Sequence, residues 1–197
     1  MKKYVFDLDG TLANMMHRVP LIRLMVGSPL KYGGVQGRVV SITTQHHREE
    51  QVVTLVDSED MANTLNLPLA NALEAFKKDW DTFFAKVKDD SPILPLCNLF
   101  LLLQDQEDIF LTICTGRNAV CTEDTMEWLE LWGLKPDRVM FRREDDRRPD
   151  FKVKFDMYTA LLSQKLKPDL VFDDRQQVVD MWRKEGIRVC QVAPGNF

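Results

Sequence analysis

Two carboxylates one residue apart, Asp7 and Asp9, stand where a short apolar run (Tyr4, Val5, Phe6) gives way to the turn Gly10-Thr11. Side chains on a strand alternate faces, so both acids can aim at one point only where the strand ends and the turn bends the backbone. Crevices beyond the carboxyl ends of parallel strands are where open α/β sheets bind ligands. With no basic residue between them the two acids repel each other, which favours a raised pKa on one of them or a bound cation. A hard divalent metal and a carboxylate nucleophile would use the pair directly.

Residues 5–12, VFDLDGTL, resemble the signature of the haloacid dehalogenase (HAD) superfamily, in which DxDGT directly follows a short apolar strand. The resemblance implies a Mg²⁺-dependent phosphatase and three further elements, each of which has a physical counterpart here. The run IFLTICT, residues 109–115, ends in Thr115 and is followed by Gly116 and Arg117. Thr115 can donate to a phosphoryl oxygen, Gly116 permits a tight turn and Arg117 offers a planar fork matched to phosphate. Lys154, early in a helical pattern, supplies an ammonium able to offset charge shared by nucleophile and phosphate. Leu170, Val171 and Phe172 run straight into Asp173 and Asp174, and two adjacent acids at a strand end are costly to desolvate together, so at least one is expected at the metal.

The C-terminal third is similar to the 3′-phosphatase domain of phage polynucleotide kinase/phosphatase, through FDDRQQVVDMWRKEGIRVCQVAPGNF. That resemblance implies Arg18, eleven residues after Asp7, as a substrate residue, and matches Asp150, Lys154 and Asp173 by their intervals. The stretch MFRREDDRRPDFKVK resembles the family's segment before the lysine, one residue shorter between Arg143 and Asp150. The implied substrate-binding set is Arg18, Gly116, Arg117, Arg143 and Asp150; the catalytic set is Asp7, Asp9, Thr115 and Lys154; the metal set is Asp7, Asp9, Asp173 and Asp174. In the expected chemistry Asp7 attacks phosphorus to form an aspartyl phosphate, Asp9 protonates the leaving oxygen and later activates water, and Mg²⁺ is held by Asp7, the Asp9 carbonyl and Asp173 or Asp174.

Alternation of short apolar runs and helical patterns argues for an α/β fold: a HAD-type, Rossmann-like parallel sheet with helices on both faces. Strands are expected at 3–6, 109–114, 138–141, 170–172 and 188–192, and helices at 95–104, 122–132, 151–166 and 176–185, the second and fourth ended by Gly133 and Gly186. The phosphatase core is expected over 1–18 and 80–197. Residues 19–79 form an insertion. Within it two β-rich runs, 37–44 and 51–57, flank QHHREE as a hairpin, and 58–78 is expected as two helical pieces broken by Pro68. The expected role is a small cap over the active site; the alternative is a hairpin that makes a homo-oligomer. His46, His47 and Arg48 at the hairpin tip are expected to be solvated, and the aromatics of 79–84 to pack the base of the cap.

With 197 residues, 45% of them hydrophobic, the chain has room for one domain and an insertion. No apolar run approaches a membrane span, MKKYVFDLDG is not expected to act as a signal peptide, and a cytoplasmic location follows, in the host if the source is a phage. Cys97, Cys114, Cys121 and Cys190 lack CxxC spacing and are expected as reduced core thiols, Cys114 and Cys190 in strands and Cys121 in helix packing. Trp128, Trp132 and Trp182 fall in helical patterns and are expected in the core.

The net charge of −4 departs from the basic surface usual in a protein that grips a long nucleic-acid backbone. An enzyme acting on ends needs only a few phosphate contacts, and Arg142, Arg143, Arg147, Arg148, Lys152 and Lys154 offer a local basic stretch. The expected partner is therefore a nucleic-acid 3′ end or a nucleotide. No GxxxxGK[ST] occurs, so a kinase half is expected to be absent. A 5′(3′)-nucleotidase acting on free mononucleotides is the runner-up, and a non-catalytic nucleotide-binding module the alternative of another class.

Overall fold

A computed structural model describes residues 1–45 and 50–195. In chain order the strands and helices are β1 (Lys2–Phe6), β2 (Ala13–Asn14), β3 (Pro29–Tyr32), β4 (Val35–Gln45), β5 (Glu50–Asp57), β6 (Thr64–Pro68), α1 (Leu69–Ala75), α2 (Trp80–Ala85), β7 (Ser91–Pro92), α3 (Leu94–Gln104), β8 (Ile109–Asn118), α4 (Thr122–Leu131), β9 (Arg138–Arg142), α5 (Asp150–Ser163), β10 (Leu170–Arg175), α6 (Gln176–Lys184) and β11 (Val189–Gly195). They divide into two compact units, Met1–Met15 with Phe84–Phe197, and Met16–Phe83. The sequence reading had divided the chain at 18/19 and 79/80.

The first unit is an α/β layer built on a five-stranded parallel sheet of order β11-β10-β1-β8-β9. Its alternation is written into neighbouring residues. Phe6, Ile113 and Phe172 enter a core with Phe100 of α3 and Trp128 and Leu129 of α4, where Phe6 stacks on Phe172 at 4.3 Å between ring centres. One residue away on each strand, Val5, Cys114 and Val171 enter the opposite core with Val153 and Met157 of α5 and Val178 and Trp182 of α6. β1 lies at the centre, and the order changes direction there because β8 and β10 take opposite sides of it, so the carboxyl end of β1 is where such a sheet opens a crevice. Gly133 and Gly186 end their helices with positive φ, as expected.

The second unit is a four-stranded antiparallel sheet of order β3-β4-β5-β6 with α1 on one face. Val39, Val53, Leu55, Leu67 and Ala72 form its core. On β4, β5 and β6, Ser41 donates to Thr54 at 2.9 Å, and Thr54 to Asn66 at 2.8 Å, in a ladder across three strands. The hairpin runs are present as β4 and β5. The tip residues His46, His47 and Arg48 lie outside the described residues. The first of the two helical pieces expected over 58–78 is instead strand β6: Leu65 and Leu67 face the same core at period two, Asn66 faces out, and Pro68 closes the strand and opens α1. Strand β3 was not expected at all.

Three side chains depart from the expected core. Trp132 is 37% exposed because it follows the last turn of α4, with Gly133 reversing the chain behind it. Cys190 is exposed on β11, an edge strand with one neighbour. Trp80 of α2 is half-exposed, while Phe83 beneath it is buried. The thiols of Cys97 and Cys114 are buried, and burial pushes them up to about 11 and about 12, outside the reactive range. No helix among the described residues is long and apolar enough to cross a membrane.

Candidate active site

Asp7 follows the last residue of β1 directly, and its backbone N–H donates to the Phe172 carbonyl at 2.9 Å, continuing the sheet ladder onto β10. Asp173 and Asp174 lie near the carboxyl end of β10 beside it. The three carboxylates are buried, and one oxygen of each lies within 4.8 Å of the others. Lys154, on the first turns of α5, is buried among them. Its ammonium lies 2.6 Å from Asp7 Oδ1, 3.0 Å from Asp173 Oδ2 and 3.8 Å from Asp150 Oδ2.

Gly10 closes the turn with φ +85°, and a Cβ there would overlap the Asp174 carboxylate. Gly116 is likewise pressed against the Asp150 carboxylate, leaving no room for a side chain. These are positions where a close approach demands glycine. Asp150 also takes Arg142 at 3.0 Å and Arg175 at 3.6 Å. Thr115 is buried on β8 and its hydroxyl oxygen accepts from the Arg117 backbone N–H at 3.1 Å.

The charges decide what this cluster can hold. Burial, and then the carboxylates around it, push Asp7 well above the ordinary carboxylate range against the pull of Lys154. Burial and the neighbouring Asp173 push Asp174 up to about 6. For Lys154, burial works against the ammonium, but Asp173, Asp7 and Asp150 outweigh it and hold the group charged well above its usual range. With Asp150 paired to Arg142 and Arg175, Lys154 faces the three carboxylates of Asp7, Asp173 and Asp174, an excess of negative charge with a common focus. Asp174 Oδ1 is buried without a hydrogen-bond partner among the described residues. Hard oxygen donors, surplus negative charge and an orphaned carboxylate oxygen fit a divalent cation such as Mg²⁺.

Arg117 was expected to present its fork to phosphate. It is buried, and its nitrogens are taken up inside the protein: Nε and Nη2 donate to Asp9 Oδ1 at 2.9 and 2.7 Å, Nη2 to Asp90 Oδ2 at 2.5 Å, and Nη1 to Thr125 Oγ1 at 3.1 Å. Asp90 and Thr125 were missed by sequence reasoning, since neither belongs to a motif and Asp90 sits in an ordinary-looking acidic loop. Arg18 belongs to the inserted unit, where its guanidinium stands over the Phe83 ring at 4.2 Å.

The basic stretch before Lys154 separates into two kinds of arginine. Arg142 is tied to Asp150 and to the Gly116 carbonyl, and Arg148 to Asp146 and Asp156. Hydrogen bonds from Arg148 hold the Asp146 carboxyl far below its usual range. Arg143 and Arg147 are exposed and have no ion-pair partner among the described residues.

A family model described as the phosphatase domain of polynucleotide kinase PNKP matches residues 72–197. The chain belongs to this HAD family. The match takes in Thr115, Lys154, Asp173 and Asp174, while Asp7 and Asp9 precede it. Membership makes the chain a HAD-type phosphatase and agrees with the site's make-up. A protein of Autographa californica nuclear polyhedrosis virus, named as a bifunctional polynucleotide kinase/RNA ligase, is 26% identical over 125 residues, 63% of this chain and 17% of that protein. The structure of a Pnkp1/Rnl/Hen1 complex contains a chain of similar fold, with TM-score 0.63 and 19% identity over 100% of this chain and 47% of the other. A further structure, of a Pnkp1/Rnl/Hen1 RNA repair complex, gives TM-score 0.60 and 20% identity, over 100% of this chain and 44% of the other. The chain thus spans less than half the length of these relatives.

Proposed function

We propose that this chain is a Mg²⁺-dependent polynucleotide 3′-phosphatase that works through an aspartyl phosphate on Asp7. The observation that carries the proposal is the buried trio of Asp7, Asp173 and Asp174 with Lys154 between them, in a member of the PNKP phosphatase family. Mg²⁺ would be held by Asp7, the Asp9 carbonyl and Asp173 or Asp174, and when bound supplies the charge that lowers repulsion between nucleophile and phosphate.

Asp7 attacks phosphorus with a carboxylate oxygen, and as that bond forms the bond from phosphorus to the ester oxygen breaks. Asp9 gives its proton to the departing oxygen, which leaves as an alcohol. Asp9 Oδ1 accepts two N–H groups of Arg117, which orient its carboxyl group. The resulting Asp9 carboxylate then takes a proton from water, whose oxygen attacks phosphorus. The bond to Asp7 breaks, inorganic phosphate leaves, and Asp9 is protonated again. Lys154 and the Thr115 hydroxyl orient the phosphoryl oxygens. Residues 19–79 are assigned the role of a cap and Arg18 that of a substrate residue; Gly116 and Asp150 shape the phosphate side, and Arg143 meets flanking phosphates.

The test is a panel of phosphomonoesters with Mg²⁺: a 3′-phosphorylated oligonucleotide, a 5′-phosphorylated oligonucleotide, a 3′-mononucleotide and a 5′-mononucleotide. The highest kcat/KM is expected for the 3′-phosphorylated oligonucleotide. A clear preference for the 5′-mononucleotide, unaffected by salt, replaces this function with that of a nucleotidase.

A further inference from the structure

Asp90 is 3% exposed, and it precedes β7. Its main chain is fixed at both ends: its N–H donates to the Val87 carbonyl at 3.3 Å, and its own carbonyl accepts from Trp128 Nε1 at 2.6 Å. β7 pairs with β2, setting Ser91 opposite Asn14 and Pro92 opposite Ala13, and Ala13 in turn bridges to Asp9. Asp90 is therefore stitched into the same short ladder that follows the DxDG turn.

Its carboxylate meets Arg117, and Arg117 meets Asp9. A guanidinium is planar and rigid, so two anchored edges fix its plane. Asp90 holds Nη2 and Thr125 holds Nη1, which leaves Nε and Nη2 converging on Asp9 Oδ1 from one direction. A pair of donors on one oxygen sets the rotation of the Asp9 carboxyl and hence where its second oxygen lies. A buried ion pair is seldom more stabilising than apolar residues of the same volume. Placement of a reacting group is the use that repays desolvating Arg117.

We propose that Asp90 is a positioning residue for the phosphatase reaction: with Thr125 it locks the Arg117 guanidinium, and through it sets Asp9 for proton transfer to the leaving oxygen. The proposal rests on Asp9 being the proton donor. It separates esters by leaving group, since p-nitrophenolate departs without a proton whereas the alkoxide of a nucleotide does not.

The experiment measures kcat/KM, which reports the steps through departure of the leaving group, for p-nitrophenyl phosphate and for the alkyl phosphomonoester of the panel above that is turned over best. Asp90→Asn keeps the size and removes the charge. It is expected to lose about 10-fold or more on the alkyl ester and less than about threefold on the aryl ester, given the 10²–10⁴-fold range of general acid catalysis. Thr125→Ala is expected to show the same asymmetry at smaller size. Equal losses on the two esters, or no loss on either, overturn the proposal and leave Asp90 as a structural ion-pair partner. If Asp90→Asn fails to fold by circular dichroism, the asymmetry in Thr125→Ala decides. Asp9→Asn is the control for the underlying assignment: if it lacks a larger loss on the alkyl ester than on the aryl ester, the proton-donor assignment fails, and if it has one, an absent asymmetry in Asp90→Asn counts against Asp90 alone.

Discussion

Each unit has its own apolar core, and the two differ in what they bury beside it. In the parallel-sheet unit, Asp7, Lys154, Asp173 and Asp174 are sealed among apolar side chains, and burial displaces the protonation of Asp7 and Asp174 upward. In the inserted unit, the core of Val39, Val53, Leu55 and Leu67 is apolar, the polar ladder of Ser41, Thr54 and Asn66 is neutral, and the buried charge among the described residues is the single guanidinium of Arg18 over the Phe83 ring. Burying several like charges together costs stability, and that cost falls on the parallel unit.

The sharpest way to break that comparison is Asp7→Asn, which is expected to lower kcat by more than about 10³-fold while leaving the melting temperature unchanged or higher. A large drop in melting temperature would mean that the buried acids stabilise the fold. Next in size is the metal. Chelation with EDTA is expected to silence the enzyme and Mg²⁺ to restore it, and Asp173→Asn or Asp174→Asn to raise the Mg²⁺ concentration for half-activity by about 10-fold or more, read from Mg²⁺ titrations of initial rate.

A third measurement uses proton linkage without metal. Asp174 stands at about 6 in the fold against 3.8 as its ordinary value, so the folded state binds the proton more tightly. The stability tied to this group is fully present below the unfolded value and is lost as pH rises through about 6. Between pH 7 and pH 5, metal-free protein should therefore lose less melting temperature, or gain more, than Asp174→Asn does over the same interval. Identical shifts would remove Asp174 from the charged cluster. A smaller effect is expected for Arg143→Ala with Arg147→Ala. Oligonucleotide KM should rise by about three- to tenfold, and the salt dependence should flatten by roughly one unit of slope per lost phosphate contact. The smallest belongs to the inserted unit: Thr54→Ala should cost about 1 kcal/mol in denaturant unfolding and leave kcat within about twofold.

The same contrast explains what could be read from the sequence. Acids that interrupt an apolar run are conspicuous, because nothing in strand packing calls for them; Asp7, Asp173 and Asp174 stand out on that account and do meet in space. The five parallel strands were legible from their apolar runs, with ends displaced by up to a few residues: β8 continues to Asn118 and β10 to Arg175, through the polar residues of the site. Strand β6 was hidden because Met61, Leu65, Leu69 and Phe76 also fit a period near four, and only pairing with β5 selects period two. Arg117 was visible as an arginine after a strand, but its partner Asp90 is 27 residues away in sequence, and no local pattern announces such a pair. Cys190 and Trp132 failed as core residues because an edge strand and a helix end each leave one side uncovered.

The central position of β1 also governs how the chain is made. Val5 lies beside Thr112 and Val171, so β1 waits for all of the chain between it and β10 before its second neighbour exists. At about 5–20 residues per second of translation, that interval is on the order of 10–30 s. Throughout it β1 has an open edge, and Asp7 stays apart from Asp173 and Asp174. The repelling acids can meet only after β10 is made, when the lysine that contacts them has already been made.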